Sequence, residues 1–97
     1  MEKLIYLNDL FDLYGILLTD KQQKYFIDYY FNNLSYGEIS DKYKVSRNAI
    51  FRQLKLIENK LNDYEEKLKL YDKKNQINDI INVIDNSDIK EKLSKLF

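Results

Sequence analysis

Two arginines, an asparagine and a phenylalanine follow a serine in the stretch SRNAIFRQLK, which spans residues 46–55. Arginine pairs with O6 and N7 of guanine, asparagine pairs with N6 and N7 of adenine, and an aromatic ring contacts the thymine methyl group. The residues predicted to contact nucleic acid are those of the turn, the cap and the outward side of the helix that follows: Lys44, Ser46, Arg47, Asn48, Phe51, Arg52 and Lys55. This pattern predicts a DNA- or RNA-binding surface.

Two helices joined by a short turn must position these side chains. Ser35 and Glu38 form a capping-box pattern that begins a helix predicted to end at Tyr43. A turn at Lys44-Val45 follows, and Ser46 caps the next helix, because serine accepts from an unpaired backbone N–H. The apolar residues predicted to hold the two helices crosswise are Ile39, Tyr43, Val45, Ile50 and Leu54. The spacing predicts a helix-turn-helix motif over residues 35–55, with Lys44 where such turns usually carry a glycine of positive φ.

The rest of the chain is also predicted to be helical, because the whole sequence holds no proline and only two glycines. A first helix carries an apolar stripe from Leu4 to Tyr14, and a Thr19–Gln22 capping box begins a second helix that ends near Asn32. The helix that Ser46 caps is predicted to run from Arg47 to about Tyr71 and to stop at 73–75. Isoleucines at 77–84 and a start at Ser87 predict two C-terminal helices. The fold class is therefore all-α.

An apolar seam runs along the predicted long helix at spacings of three and four residues, typical of a coiled coil. Its members are Ile50, Leu54, Ile57, Leu61, Tyr64, Leu68 and Tyr71. A helix of this length extends roughly 37 Å, whereas a compact domain of this size has a radius of gyration of about 13 Å. We therefore expect a homodimer through Ile57, Leu61, Tyr64, Leu68 and Tyr71. Packing of the seam on the isoleucine stripe within one chain is the alternative.

The charge of the chain is balanced overall but concentrated locally. Sixteen basic residues face sixteen acidic ones over 97 residues, so no global attraction to nucleic acid exists. Residues 35–60 hold six basic and three acidic residues, a net charge of +3, while residues 1–34 hold three lysines and five acids, a net charge of −2. The attraction is therefore predicted to centre on the motif. The alternative is that Arg47 and Arg52 form only the solvated side of a long helix.

Several function classes are disfavoured by what the chain lacks. It contains no histidine, which is the commonest catalytic base and the commonest metal ligand. It also contains no cysteine, so it has no thiolate metal site and no disulfide. The carboxylates at 63–72 alternate with lysines, and Glu65 and Lys69 are predicted to form an ordinary exposed pair. No apolar run approaches the roughly 18 residues of a membrane span, and MEKLIYLNDL lacks a signal-peptide pattern. We expect a cytoplasmic protein that is not an enzyme, with no cofactor, metal, small-molecule substrate or membrane contact.

Blocks of sequence in a fixed order resemble the YlxM-like family of small bacterial proteins. They are LFDLY, LLTDKQ, YYF, GEIS, VSRNAI and YEEKL, and the resemblance covers about residues 4–71. The chain differs from the family pattern at Asn32-Asn33, where acidic residues are usual, at Asn48, where Gln is usual, and at Arg52, where an acidic residue is common. Arg52 makes the predicted contact surface more basic than that of a typical member.

The resemblance implies a fold and a cellular context. The middle of the family is similar to region 4 of sigma factors, so the resemblance implies a sigma-region-4-like helix-turn-helix. Together with the helices predicted from the residues, we expect one helical domain over 1–97, with a long fourth helix and a C-terminal appendage at 72–97 that has no match in the family pattern. The genes of the family usually lie beside those for the signal recognition particle GTPase or its receptor. The implied function is regulatory or accessory, with signal recognition particle components as partners. The alternative is a protein-interaction module that uses its long amphipathic helix and binds no nucleic acid.

Overall fold

Side-chain caps at the predicted positions begin three of the helices in the computed structural model, which describes residues 2–96. Thr19 and Gln22 form a reciprocal capping box at the second helix, and Ser35 and Glu38 form another at the third. Each side chain accepts a hydrogen bond from the backbone N–H of its partner at 3.1 Å. Ser46 accepts from the N–H of Ala49 at 3.0 Å and begins the fourth helix. The local sequence patterns that predicted these starts are confirmed.

The described residues form an all-α chain without strands. Its helices are α1 (Glu2–Tyr14), α2 (Asp20–Phe26), α3 (Tyr36–Tyr43), α4 (Arg47–Leu68), α5 (Leu70–Val83) and α6 (Ser87–Ser94). A 3₁₀ turn (Gly15–Leu17) follows α1, and a π-helical turn (Ile27–Phe31) continues α2. The predicted end of the second helix near Asn32 is therefore right, although its last turn is wider than an α-helical turn. Met1 and Phe97, the outermost residues of the predicted domain, lie outside the described residues.

The hydrophobic core lies where α1, α2 and α3 pack around the N-terminal two thirds of α4. The largest side chains buried there are Tyr14, Phe26, Leu10, Ile39, Ile50, Ile57 and Leu61. Every helix up to α4 contributes to this set, so α4 is the central element of the domain. The helix-turn-helix formed by α3 and α4 is thus supported from behind by α1 and α2.

The end of α4 corrects two predictions. The helix ends at Leu68 rather than near Tyr71, because Lys69 adopts the left-handed conformation with φ 56°. Tyr71 and the predicted stop at 73–75 lie inside α5, which starts at Leu70. The C-terminal helices therefore begin before the predicted boundary at residue 72. No glycine, proline or asparagine marks Lys69, so the local sequence gave no sign of this break.

The two C-terminal helices extend away from the core. Helix α5 packs against α1 and α6, and neither α5 nor α6 contributes a fully buried residue. The chain measures 54 × 25 × 24 Å and has a radius of gyration of 16.7 Å, larger than the 13 Å or so of a compact domain of this length. The projecting part that the sequence predicted is therefore present, but α5 and α6 form it rather than the end of α4.

Candidate nucleic-acid interface

The turn between α3 and α4 sets the geometry of the candidate site. Lys44 ends α3 in the left-handed conformation, with φ 57° and ψ 46°, as expected for a residue in the usual glycine position. The N–H of Val45 then donates to the carbonyl oxygen of Ser40 at 3.1 Å. Ser46 caps α4, whose first turn contains no acidic residue. The N-terminus of α4 therefore presents unpaired backbone N–H groups and the positive end of the helix dipole.

The structure exposes every side chain that was predicted to contact nucleic acid. We call this set the contact face: Lys44, Ser46, Arg47, Asn48, Phe51, Arg52 and Lys55. The five helical members lie on one side of α4, as the 3.6-residue repeat requires, while Ile50, Leu54 and Ile57 are buried on the other side. Exposure makes the contact face available to a ligand, and its role in binding stays a prediction.

The arginines of the contact face keep their charges available. Neither Arg47 nor Arg52 forms an ion pair with any residue in the described part of the chain. The guanidinium of Arg47 lies close to Gly37 in the first turn of α3. A Cβ atom at position 37 would lie only 3.0 Å from Cζ and Nη2 of Arg47. Gly37 therefore leaves room for the arginine to extend along both helices. This role of Gly37 was not predicted, because it has no signal in the sequence beyond the residue type itself.

Aromatic residues adjoin the contact face. The ring of Phe51 meets the ring of Tyr36 edge-on, with centroids 5.8 Å apart, and Nζ of Lys55 lies 5.7 Å from the Phe51 centroid. Nζ of Lys55 also lies 3.8 Å from Oε2 of Glu58. The charge of Lys55 is thus partly neutralised within α4, unlike the charges of the arginines. Tyr36 was missed from sequence, although its place directly after the Ser35 cap puts it beside α4.

A buried carboxylate fixes α3 against the helix before it. Asp28, only 3% exposed, lies in the π-helical turn. It accepts hydrogen bonds from Lys42 at 3.1 Å to both oxygens, from the Tyr43 hydroxyl at 2.6 Å and from Asn32 at 3.1 Å. Burial by itself would raise the pKa of Asp28, but the hydrogen bonds from Tyr43, Lys42 and Asn32 together lower it. The ionised carboxylate therefore holds the C-terminal end of α3 in place.

The residues predicted for self-association are mostly used within the chain, which corrects the interpretation of the seam. Ile57 and Leu61 are 0% exposed in the core. Tyr64 is half-buried with its ring 5.9 Å from that of Tyr14, and Tyr71 in α5 packs edge-on against Tyr6 at 5.1 Å. Leu68 is 47% exposed. The seam is therefore largely intrachain core, as the alternative interpretation had it, but it packs mainly against α1, α2 and α3 rather than the isoleucine stripe of α5.

The carboxylates near the end of α4 have structural partners. Glu65 does not pair with Lys69. Its side chain accepts from the Tyr14 hydroxyl and from the backbone of α5. Asp63 pairs with Lys67 at 2.9 Å instead. Residues 2–96 contain no cluster of three or more acidic, histidine or cysteine side chains that could hold a metal ion. Across the same residues, no helix has the length and apolar character needed to cross a membrane.

Comparison with known proteins gives a consistent result. Residues 1–96 match the sequence model of the family UPF0122, described as "Putative helix-turn-helix protein, YlxM / p13 like". A UPF0122 protein of Shouchella clausii is 45% identical over 73 residues, which are 75% of this chain and 67% of that protein. One from Bacillus pumilus is 48% identical over 73 residues, 75% of this chain and 66% of that protein. One from Halalkalibacterium halodurans is 42% identical over 80 residues, 79% and 73% respectively.

Proposed function

The chain belongs to the UPF0122 family of YlxM / p13-like helix-turn-helix proteins, and from that premise we propose that it binds nucleic acid through the contact face. The observation that carries the proposal is the pair of exposed arginines next to the capped N-terminus of α4, neither of which forms an ion pair within residues 2–96. The positive helix end and the arginine charges attract the same phosphate backbone. If Arg47 and Arg52 formed only a solvated helix surface, they would have no need to lie next to the positive end of the α4 dipole.

The contact face supplies both kinds of group that such recognition needs. Lys44 and the N–H groups behind Ser46 suit phosphate oxygens, which position a protein on its ligand. Arg47, Asn48 and Arg52 suit base edges, which carry the sequence information. With few cations in all, binding is expected to be moderate in strength and to weaken steeply as salt rises.

A titration of labelled duplex DNA and of a structured RNA hairpin tests this proposal. Wild-type protein is expected to bind at least one of them at about 50 mM salt and to release it as salt rises. Arg52→Ala is expected to weaken binding by about 1–3 kcal/mol. The matched control is Lys73→Ala, which removes one exposed positive charge from α5, away from the contact face. Flat titrations with both ligands, or equal losses in the two variants, would exclude the contact face as the binding surface.

We further propose that this binding serves a regulatory or accessory role in protein targeting by the signal recognition particle, in the cytoplasm. The support is the resemblance to the YlxM-like family and the usual position of the family's genes beside those of the targeting GTPase. The partner is then the particle's RNA, its GTPase or both. A pull-down from lysate with and without nuclease separates these partners. If the GTPase is captured without nuclease but lost when nuclease is added, RNA links it to this protein. If neither the GTPase nor the particle's RNA is captured, the proposal is contradicted.

A second candidate function, protein interaction, has its own supporting observation. Apolar side chains on the projecting helices remain exposed: Ile80, Val83 and Ile89. A helix usually buries such a stripe against another element, so these residues suit a second copy of the chain or another protein. The homodimer expected from the sequence is therefore proposed to form through α5 and α6, because the seam of α4 is already filled.

The molecular mass in solution tests this second candidate. Val83 is 79% exposed, so Val83→Asp is expected to leave the fold intact and to shift a dimer to monomer. Asn82→Asp, which adds the same charge at the neighbouring exposed position, is the control. Light scattering coupled to gel filtration gives the mass directly. A wild-type monomer at all concentrations would rule out self-association.

A further inference from the structure

A cleft opens directly beside the contact face. It lies between the start of α1, the π-helical turn, the start of α3 and the middle of α4, and its volume is about 320 Å³. Ligand pockets in proteins typically span about 300–1,000 Å³, so the cleft is large enough for one small planar group. The polar and aromatic residues of its lining are Lys3, Tyr29, Tyr30, Tyr36, Phe51, Lys55 and Glu58.

Four aromatic rings line the cleft and pack against one another. Tyr29 and Tyr36 stack with centroids 5.0 Å apart and planes 17° from parallel. Tyr30 meets Tyr29 edge-on at 4.9 Å, and Phe51 meets Tyr36 edge-on at 5.8 Å. The three tyrosines are half-buried and Phe51 is 42% exposed, so these rings line a surface that remains accessible. A cleft lined by partly accessible aromatic rings suits a nucleobase, because a base can stack on an aromatic side chain.

The charges around the cleft suit the phosphate attached to such a base. Nζ of Lys3 and Nζ of Lys55 lie 3.7 and 3.8 Å from Oε2 of Glu58. Two cations thus face one carboxylate, and both ammonium groups belong to exposed side chains at the rim. The Tyr30 hydroxyl donates to the other oxygen of Glu58, and burial together with this bond raises the pKa of Tyr30. Two lysines against one carboxylate leave a net positive charge at the rim.

From this arrangement we propose that the cleft takes up one unpaired nucleobase of a nucleic acid bound on the contact face. The ligand class is then a strand with an unpaired or bulged nucleotide, preferred over a fully paired duplex. A paired base presents only its edge in a groove, so only an unpaired base can bring its ring face to Tyr36 and Tyr29. Phe51 and Lys55 belong to both the contact face and the cleft, which makes the two surfaces continuous. The proposal rests on the nucleic-acid binding proposed above and specifies its ligand.

Two labelled hairpins that differ in one nucleotide test the proposal. One is fully paired in its stem, and the other carries a single unpaired 2-aminopurine, which emits separately from the protein because the chain contains no tryptophan. Wild-type protein is expected to bind the bulged hairpin about tenfold more tightly and to quench the 2-aminopurine emission, because stacking on an aromatic ring does both.

Variants then locate the effect in the cleft. Tyr36→Leu is expected to bring the affinity ratio of the two hairpins to about one and to abolish quenching, while Tyr36→Phe retains both, since it keeps the ring. Phe31→Leu is the control, because Phe31 is an exposed aromatic residue outside the cleft lining. Phe51→Leu gives a second cleft variant if Tyr36→Leu is poorly folded by circular dichroism.

The outcomes separate this proposal from the proposed function. Equal affinity for the two hairpins, or quenching that persists in both Tyr36→Leu and Phe51→Leu, overturns the nucleobase site. If Arg52→Ala still weakens binding of the paired hairpin in that case, the contact face stands without the cleft. Absence of binding to either hairpin contradicts the nucleobase site, and the proposed function fails with it if the titration of duplex DNA is flat as well.

Discussion

The phenol of Tyr14 in α1 donates a hydrogen bond to Oε1 of Glu65, near the end of α4, across 2.7 Å. The same phenol oxygen accepts from the backbone N–H of Leu70, the first residue of α5, at 3.0 Å. The Glu65 carboxylate accepts from the N–H groups of Tyr71 and Asp72 at 2.9 and 3.2 Å. These bonds satisfy donors that a helix N-terminus leaves unpaired, so one phenol and one carboxylate fix the direction in which α5 leaves the core.

Removal of the Glu65 side chain is expected to loosen α5 before it affects the core. Glu65→Ala leaves the Tyr71 and Asp72 amides without partners and should lower the free energy of unfolding by about 1–3 kcal/mol. Hydrogen exchange followed by mass spectrometry should show faster exchange in α5 and little change at Ile50–Leu61. Glu66→Ala, at the exposed neighbouring position, serves as the control. Unchanged protection of α5 in Glu65→Ala would contradict the capping role.

The Asp28 carboxylate is expected to make stability depend on acid pH. Its pKa lies below the ordinary value of 3.8 in the folded chain. The bonds of the ionised form therefore stabilise the fold above that pH, and this contribution is lost as pH falls through the folded-state pKa. Asp28→Asn should lower the free energy of unfolding by roughly 2 kcal/mol at neutral pH and flatten its decline in acid.

Urea unfolding at several pH values between about 2 and about 7 measures this effect. Asp41→Asn removes an exposed carboxylate from the same helix, α3, and is expected to change the stability little at any of these pH values. If Asp28→Asn loses as much stability on acidification as the wild-type protein does, other carboxylates must control the acid response.

The two lysines in left-handed conformation offer a matched pair for separating stability from binding. Lys44 and Lys69 have φ of 57° and 56°, a region in which a side chain costs about 1 kcal/mol. Glycine at either position relieves this strain and should raise the free energy of unfolding by up to about 1 kcal/mol. The gain is reduced because glycine has more conformational entropy in the unfolded chain. Lys44→Gly alone should also reduce the salt slope of nucleic-acid binding by about 1. If Lys69→Gly changed the salt slope by the same amount, the effect would not be specific to Lys44, and Lys44 would not be a contact residue.

The apolar seam of α4 should respond to substitution as core rather than as an interface. Leu61→Ala empties a fully buried site and is expected to lower the free energy of unfolding by about 2–5 kcal/mol. Leu68→Ala removes a half-exposed side chain and should cost less than about 1 kcal/mol. Chemical denaturation at two protein concentrations measures both values. A concentration-dependent loss for Leu61→Ala would indicate that this residue also contacts a second chain.

The helix starts were predictable because their determinants are local. Thr19 with Gln22, and Ser35 with Glu38, satisfy backbone donors within one helical turn, so neither pair depends on the rest of the chain. The positive φ of Lys44 was predicted for the same reason, since a short turn between two helices needs one such residue. The exposed positions of Arg47 and Arg52 followed from the helical repeat once Ser46 had fixed the start of α4.

The sequence by itself determined the all-α class, the capped helix-turn-helix and the outward side of α4, because each depends on groups within a few residues of one another. Only the tertiary structure decided where α4 ends and what its apolar seam contacts. Lys69 becomes a break because Tyr14 and Glu65, 51 residues apart in sequence, together cap α5. Ile57 and Leu61 are core because α1 to α3 wrap around them, and the cleft beside Phe51 exists because four separate segments meet there. Burial and long-range capping depend on chain topology, which the spacing of apolar residues does not contain.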